Sequence, residues 1–366
     1  MSALKNLVAG IRATDKAALA MTVLIGALAG TLAHLAHLPL GYLLGSVIAT
    51  GTLAAFHIQP FGRQITLPAG LRFSFVPVIG VAIGGAFTPE VARAALGWGP
   101  SLLALCAFVP AAHYLGYRIY RAGGLAPAEA FFGAVPGGLI ESVQLGEAAG
   151  ADVRLLTVLQ FLRLILTILT VPLIFWALTG HAVGSASGAM MTGAGVSLTL
   201  WDIGLMLLAG GLGVAIAKAL HFPGYIITGP IALSALLHVS GLLHGIPPGW
   251  LISVTQIILG TGLGARFVGV ETALLKRGAR LALINGAAAL ALAFGFAGAV
   301  HWMAGEPLAA AFLAFAPGGL AEMSLIALSL HMSAIYVTVH HVARIFLAVS
   351  FAKLGASRLT PRNDAP

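Results

Sequence analysis

From Ala17 to Leu35 the chain runs through one long apolar segment, and eleven comparable candidate spans follow it. Crossing a bilayer takes about 20 mainly apolar residues, so the length and number of these segments constrain the fold more than any other feature. A soluble domain carries about a quarter charged residues, whereas Asp, Glu, Lys and Arg make up only 8% here. Too few charges remain to clothe a water-facing surface. The sequence is that of an all-α polytopic membrane protein. Its basic start, MSALKNLVAGIRATDK, leads into a segment that suits a span better than a cleavable signal core.

Three stretches occur twice in the same order. Pro39 to Gly45 (PLGYLLG) matches Pro223 to Gly229 (PGYIITG), and Gly80, Gly84 and Phe87 match Gly260, Gly264 and Phe267. Pro136, Gly137, Gly138, Leu139 and Glu141 match Pro317, Gly318, Gly319, Leu320 and Glu322. Arg163 and Arg344 each stand 22 residues after the corresponding Glu. The chain therefore reads as an internal duplication. A cytoplasmic N-terminal segment, 1–16, precedes a first membrane repeat, 17–178. A Gly/Ser-rich linker, 179–200, leads to a second repeat, 201–354, and a cytoplasmic tail, 355–366. The linker composition suits a flexible connector.

The Pro-Gly-Gly segments, 129–149 and 308–331, decide the topology. If both span, each half has six crossings and the repeats are parallel. If both are re-entrant hairpins, each half has five crossings and the second half is inverted. Basic residues gather on the cytoplasmic side. With the N-terminus inside, twelve crossings leave five of fourteen loop and tail cations outside, whereas the hairpin arrangement leaves only Arg93. The expectation is two inverted repeats, each of about five transmembrane helices plus a PGG re-entrant hairpin. The location is then a bacterial inner membrane, with both termini cytoplasmic. Non-helical backbone survives at membrane depth only inside protein or beside water, and broken helices from inverted repeats commonly build transporter sites.

Candidate substrate- or ion-binding residues cluster at these breaks: Pro136, Gly137, Gly138, Glu141, Gln160 and Arg163 in the first half. In the second they are Pro317, Gly318, Gly319, Glu322, His341 and Arg344. Glu141 and Glu322 could couple to protons or cations, or cap the half-helix that follows each break. Arg163 and Arg344 could bind an anion or pair with those glutamates. Gln160 and His341 precede their arginines by three residues and share a helix face with them; His341 could relay protons. The glycine pairs make small-xxx-small packing faces. Cys106 is the single cysteine, so neither an intrachain disulfide nor a thiolate cluster is available. With no HxxxH or ExxH pattern, no metal is expected; with no Walker sequence, ATP-driven transport by this chain alone is not expected; no cofactor is expected and no catalytic residue is assigned.

The twin A-F-x4-P-G-G-L-x-E blocks, the QFLR and HHVAR helices and the paired glycine motifs make the chain resemble the AbrB membrane-protein family of bacteria. This is the duplicated "aidB regulator" type, whose members carry labels such as transcriptional regulator or candidate ammonia monooxygenase. A direct nucleic-acid role does not fit, because no soluble basic module is present. The leading expectation is a secondary transporter of a small anionic metabolite, coupled to a proton or cation gradient and not an enzyme. The alternatives are a membrane-embedded sensor or regulator acting indirectly on gene expression and, as a minor reading, a membrane oxidoreductase. Expected partners are a small-molecule or ion substrate and membrane lipid, with homo-oligomerisation left open.

Overall fold

The computed structural model describes residues 15–38, 40–179, 197–330 and 332–359, and their regular structure is entirely helical. Pro39, His331, residues 1–14, most of the predicted linker and residues 360–366 lie outside the described residues. The first half forms α1 (Lys16–Leu35), α2 (Gly41–Ala55), α3 (Ala69–Gly84), α4 (Pro89–Ala94), α5 (Gly99–Ala122), α6 (Pro127–Gly133), α7 (Leu139–Ala148) and α8 (Val153–Thr179). The second forms α9 (Leu200–Ala219), α10 (Tyr225–Val239), α11 (Gly249–Gly264), α12 (Thr272–Ala304), α13 (Leu308–Phe315), α14 (Leu320–Ser329) and α15 (Ala334–Leu359).

Among the described residues, six helices are long and apolar enough to cross a membrane, as a multi-pass protein requires. Four expected spans are shorter: α2, α3, α10 and α11 have 15 or 16 residues. At 1.5 Å per residue they reach about 24 Å at most, less than a hydrocarbon core of about 30 Å. Turn chemistry trims them. Leu40 and Gly224, in the left-handed region, head α2 and α10, and Pro68 and Pro248 head α3 and α11. On α1, Leu24, Leu28 and Leu32 are exposed while Thr22, Gly26 and Gly30 are buried. Small residues turn inward and leucines outward, the reverse of a soluble helix and the pattern of helices packed in lipid.

The chain folds as two compact units, and neither coincides with a sequence half. The first comprises Met1–Ala94, Ile168–Val270 and Ser324–Ile335; the second comprises Ala95–Thr167, Glu271–Met323 and Tyr336–Pro366. Within the first unit, the duplicated glycines are where helices touch. A Cβ on Gly80 would stand 2.9 Å from the Ile227 carbonyl oxygen, and one on Gly84 would stand 2.5 Å from Ser234 Cβ. Ser234 Oγ also donates to the Val81 carbonyl at 2.8 Å. A Cβ on Gly260 would meet the Leu43 oxygen at 2.4 Å, and one on Gly264 would meet Thr50 Oγ1 at 2.1 Å. Contact positions rise together along both chains, so α3 runs parallel to α10, and α2 runs parallel to α11.

In the second unit α5 and α12 run antiparallel. Phe108 meets Phe296 edge to face at 5.4 Å, Gly116 abuts Asn285, and Gly123 abuts Leu281. Asn285 Nδ2 donates to the buried Tyr120 hydroxyl at 3.1 Å. Arg277 Nη2 donates to the Gly124 carbonyl at 3.0 Å, tying the start of α12 to the turn after α5.

Candidate functional site

Both Pro-Gly-Gly segments interrupt a helix. In the first, α6 ends at Gly133 and Gly138, at φ 64°, opens α7. Proline removes a donor and glycine adopts the left-handed conformation without strain. In the second, α13 ends at Phe315 and α14 begins at Leu320. The last carbonyls of a helix have no partner inside it, and in an apolar interior water cannot supply one. Here side chains do.

Around the first break, Gln160 Nε2 donates to the carbonyls of Phe132 at 3.0 Å and Gly133 at 3.2 Å, and Arg163 Nη1 donates to that of Val135. His113 Nε2 donates to the Phe131 carbonyl at 2.9 Å. Around the second break, His341 Nε2 donates to the Leu313 carbonyl at 2.9 Å. Arg344 donates through Nη1 to Ala316 and through Nη2 to Gly318 at 2.6 Å. In both halves the acceptor lies 28 residues before the donor, for the amide or imidazole and again for the arginine. The duplication therefore extends to individual hydrogen bonds. The placement is electrostatically sound too, since a guanidinium at a helix C-terminus meets the negative end of its dipole.

Glu141 and Glu322 occupy the third position of the helix that follows each break. Their carboxylates fold back over the glycine at its head: Oε2 lies 3.3 Å from where a Gly138 Cβ would be, and 2.1 Å from that of Gly319. This is the reach of a capping glutamate, set at the positive end of the dipole. Each break thus carries one cation behind it and one anion ahead of it. The guanidiniums themselves engage backbone carbonyls.

All twelve candidate residues fall in the second unit. Contacts between the breaks and the arginine-bearing helices are reciprocal. Gly137 lies against Ile345 and Ala348 of α15, and Gly319 lies against Leu164 of α8. Gln160, His341 and Arg344 are at most 1% exposed, Arg163 7% and Glu322 8%. Among the described residues, Arg163 Nε, Arg344 Nε and Gln160 Oε1 are buried and have no hydrogen-bond partner. His341 is held as a single neutral form. Its Nε2–H donates to Leu313 while its Nδ1 accepts from Arg344 Nη2 at 3.0 Å, so a second proton would break the arginine contact. No motif pointed to His113, which holds one more α6 carbonyl from α5.

An apolar cavity of about 600 Å³ lies in the first unit, lined by Pro77, Met206, Leu207 and Trp250 among others. With no charged side chain in its wall it suits a hydrocarbon chain, not a charged solute. Among the described residues, no group of three or more His, Cys, Asp or Glu is placed to hold a metal.

A helical chain with long apolar spans and twin broken helices held by buried arginines defines a class of duplicated membrane proteins. The family described as transition state regulatory protein AbrB matches residues 53–360, and the chain belongs to that family. It is similar to the uncharacterized protein YhjN of Bacillus subtilis (strain 168), at 28% identity over 64% of each chain. It is also similar to a candidate regulator, AbrB, of Escherichia coli (strain K12), at 25% identity over 80% of this chain and 82% of that one.

Proposed function

We propose that the protein is a secondary transporter of a small anionic solute, driven by a proton or cation gradient across a bacterial inner membrane. The observation that carries this reading is the pair of buried guanidiniums, each with an Nε donor that meets no acceptor among the described residues, beside a broken helix. Unsatisfied buried donors call for a partner, and an anion is the partner a guanidinium suits. Glu141 and Glu322 would then act as tethered stand-ins. Each stands over the glycine at the head of its half-helix, where a solute carboxylate or phosphate could take its place.

The helix directions support an inverted arrangement of two halves, each with five crossings and a re-entrant break. Five crossings per half make α3 and α10 parallel, α2 and α11 parallel, and α5 and α12 antiparallel. Six crossings would reverse all three relations. The bond from Arg277 to Gly124 likewise fits an arrangement with both loops on the cytoplasmic side, alongside both termini. The name of the Escherichia coli relative favours a second reading, a membrane-embedded sensor acting indirectly on gene expression. Neither reading involves direct contact with nucleic acid.

Two experiments test this. In a Cys106→Ser background, Lys218→Cys and Lys276→Cys should resist a membrane-impermeant thiol reagent until cells are opened; labelling in intact cells would overturn the inverted topology. In liposomes, the purified full chain should accumulate anionic solutes from a metabolite extract under an imposed gradient. Saturable binding without flux would favour the sensor.

A further inference from the structure

We infer that Ser101 and His340 form a proton-binding site in the second unit, and that this proton is the ion coupled to the solute; the coupling rests on the transporter reading above. His340 Nδ1 lies 2.8 Å from the Tyr336 carbonyl oxygen and must donate to it. Its Nε2 lies 2.8 Å from Ser101 Oγ, and that Oγ lies 2.9 Å from the Trp98 carbonyl oxygen. One serine hydrogen cannot serve both neighbours. With neutral His340, the hydroxyl donates to Nε2 and the Trp98 carbonyl loses its serine contact. With one more proton, Nε2–H donates to Oγ, the hydroxyl swings to Trp98, and every contact is made. One N–H bond forms, one hydroxyl rotates and no other group loses a partner. The site can take up a proton without disturbing the fold.

His341, next along the helix, is the control within the molecule. Its second nitrogen is occupied by Arg344, so the neighbouring imidazole lacks the slot that His340 has. The first half provides a second control. The positions equivalent to Tyr336 and His340 are Leu155 and Leu159, packed with Tyr120, Leu125 and Leu281 in an apolar cluster. The duplicated frame does not need this pair; only the second half carries it.

The groups facing His340 are few. On its own helix Tyr336 stacks at 4.1 Å and its hydroxyl also reaches Ser101, with His341 and Arg344 beyond, while Ser101 comes from α5 and the Phe315 ring stands 6.3 Å away. Glu306, before α13, is the acid that acts electrostatically on Tyr336. Burial pushes the Glu306 carboxyl up, which suits a group that passes a proton inward. His340 is itself wholly buried, and burial opposes the imidazolium. Its proton affinity therefore rises when the unit opens to water, as a coupling site in an alternating-access carrier requires.

Solid-state NMR of 15N-histidine-labelled full-length protein in lipid tests the site without any flux. Signals missing from His340→Gln should become doubly protonated as pH falls from about 7 to about 3, while His341 keeps one neutral tautomer. Ser101→Ala, which should fold normally, should move that titration down by about one pH unit. A His340 that stays neutral throughout, or titrates identically in Ser101→Ala, overturns the proposal. In liposomes, Ser101→Ala should lower pH-driven uptake about tenfold; an undiminished rate overturns the coupling. If wild-type vesicles move no solute the transporter reading fails, while the NMR titration still decides the proton site.

Discussion

The two breaks share one frame and differ in which side chains hold it. At the first, Gln160 and Arg163 supply the donors; at the second, His341 and Arg344 supply them to the equivalent carbonyls. An amide in one half does the work of an imidazole in the other. What a broken helix needs at this depth is therefore an N–H donor in place, not an ionisable group. Arg344 then goes further than Arg163: it reaches a second carbonyl, Gly318, and the ring of His341. The first break instead spreads its donors over three side chains, with His113 holding a further carbonyl.

The sharpest way to break this comparison is to remove each arginine. Arg344→Ala leaves two carbonyls and a histidine nitrogen unsatisfied in a dry interior and should destabilise by about 3–5 kcal/mol. Arg163→Ala, with one carbonyl to lose and slightly more exposure, should cost about 1.5–3 kcal/mol. Unfolding of the purified protein in detergent reads both. Equal losses would mean that the extra contacts of Arg344 add nothing.

Glycine substitutions probe the same asymmetry inside the first break. Gly138 sits at φ 64°, and an added Cβ would lie 2.4 Å from Val349 Cγ2. Gly138→Ala should therefore cost about 1–2 kcal/mol from the backbone alone, with the clash on top. Gly137 has roomier surroundings: a Cβ there would find its nearest neighbour, Ile345 Cα, at 3.4 Å. Gly137→Ala should change stability by about 0.5 kcal/mol or less. If the two substitutions behave alike, the left-handed turn is not what shapes the break.

Much of this was legible in the sequence, and for definite reasons. The spacing of Pro136 and Pro317 from their glutamates and arginines survives because each member of the motif touches backbone a set distance away. The breaks themselves followed from Pro-Gly-Gly in an apolar run, and the glycine pairs marked close helix contacts. Two things were not legible. The short α2, α3, α10 and α11 are trimmed by turns at Leu40, Pro68, Gly224 and Pro248, which hydropathy does not register. The Ser101–His340 pair joins residues 239 apart, so no local pattern announces it, and placing His340 beside His341 hid how differently the two rings are engaged. Packing units that interleave the halves are likewise invisible to a repeat search, which compares segments and not contacts.

Capping predicts a smaller effect at the glutamates. Glu322→Ala, at the more buried position, should cost about 1 kcal/mol, and Glu141→Ala, partly exposed, rather less. Glutamine at either site keeps a capping oxygen and should restore most of that stability. If Glu322→Gln loses as much as alanine, the charge itself holds the second break together.

The smallest expected effect is the most telling. His341→Gln replaces the imidazole by the group that already serves at position 160, with an N–H for the Leu313 carbonyl and an oxygen to accept from Arg344. It should cost no more than about 1 kcal/mol, whereas His341→Leu, which leaves a buried carbonyl and a guanidinium donor unmatched, should cost about 2 kcal/mol. Thermal unfolding of the two variants side by side distinguishes them. Were glutamine as damaging as leucine, the ring of His341 would be contributing something a plain donor cannot. The equivalence of the two breaks would then fail at the one position where their chemistry differs.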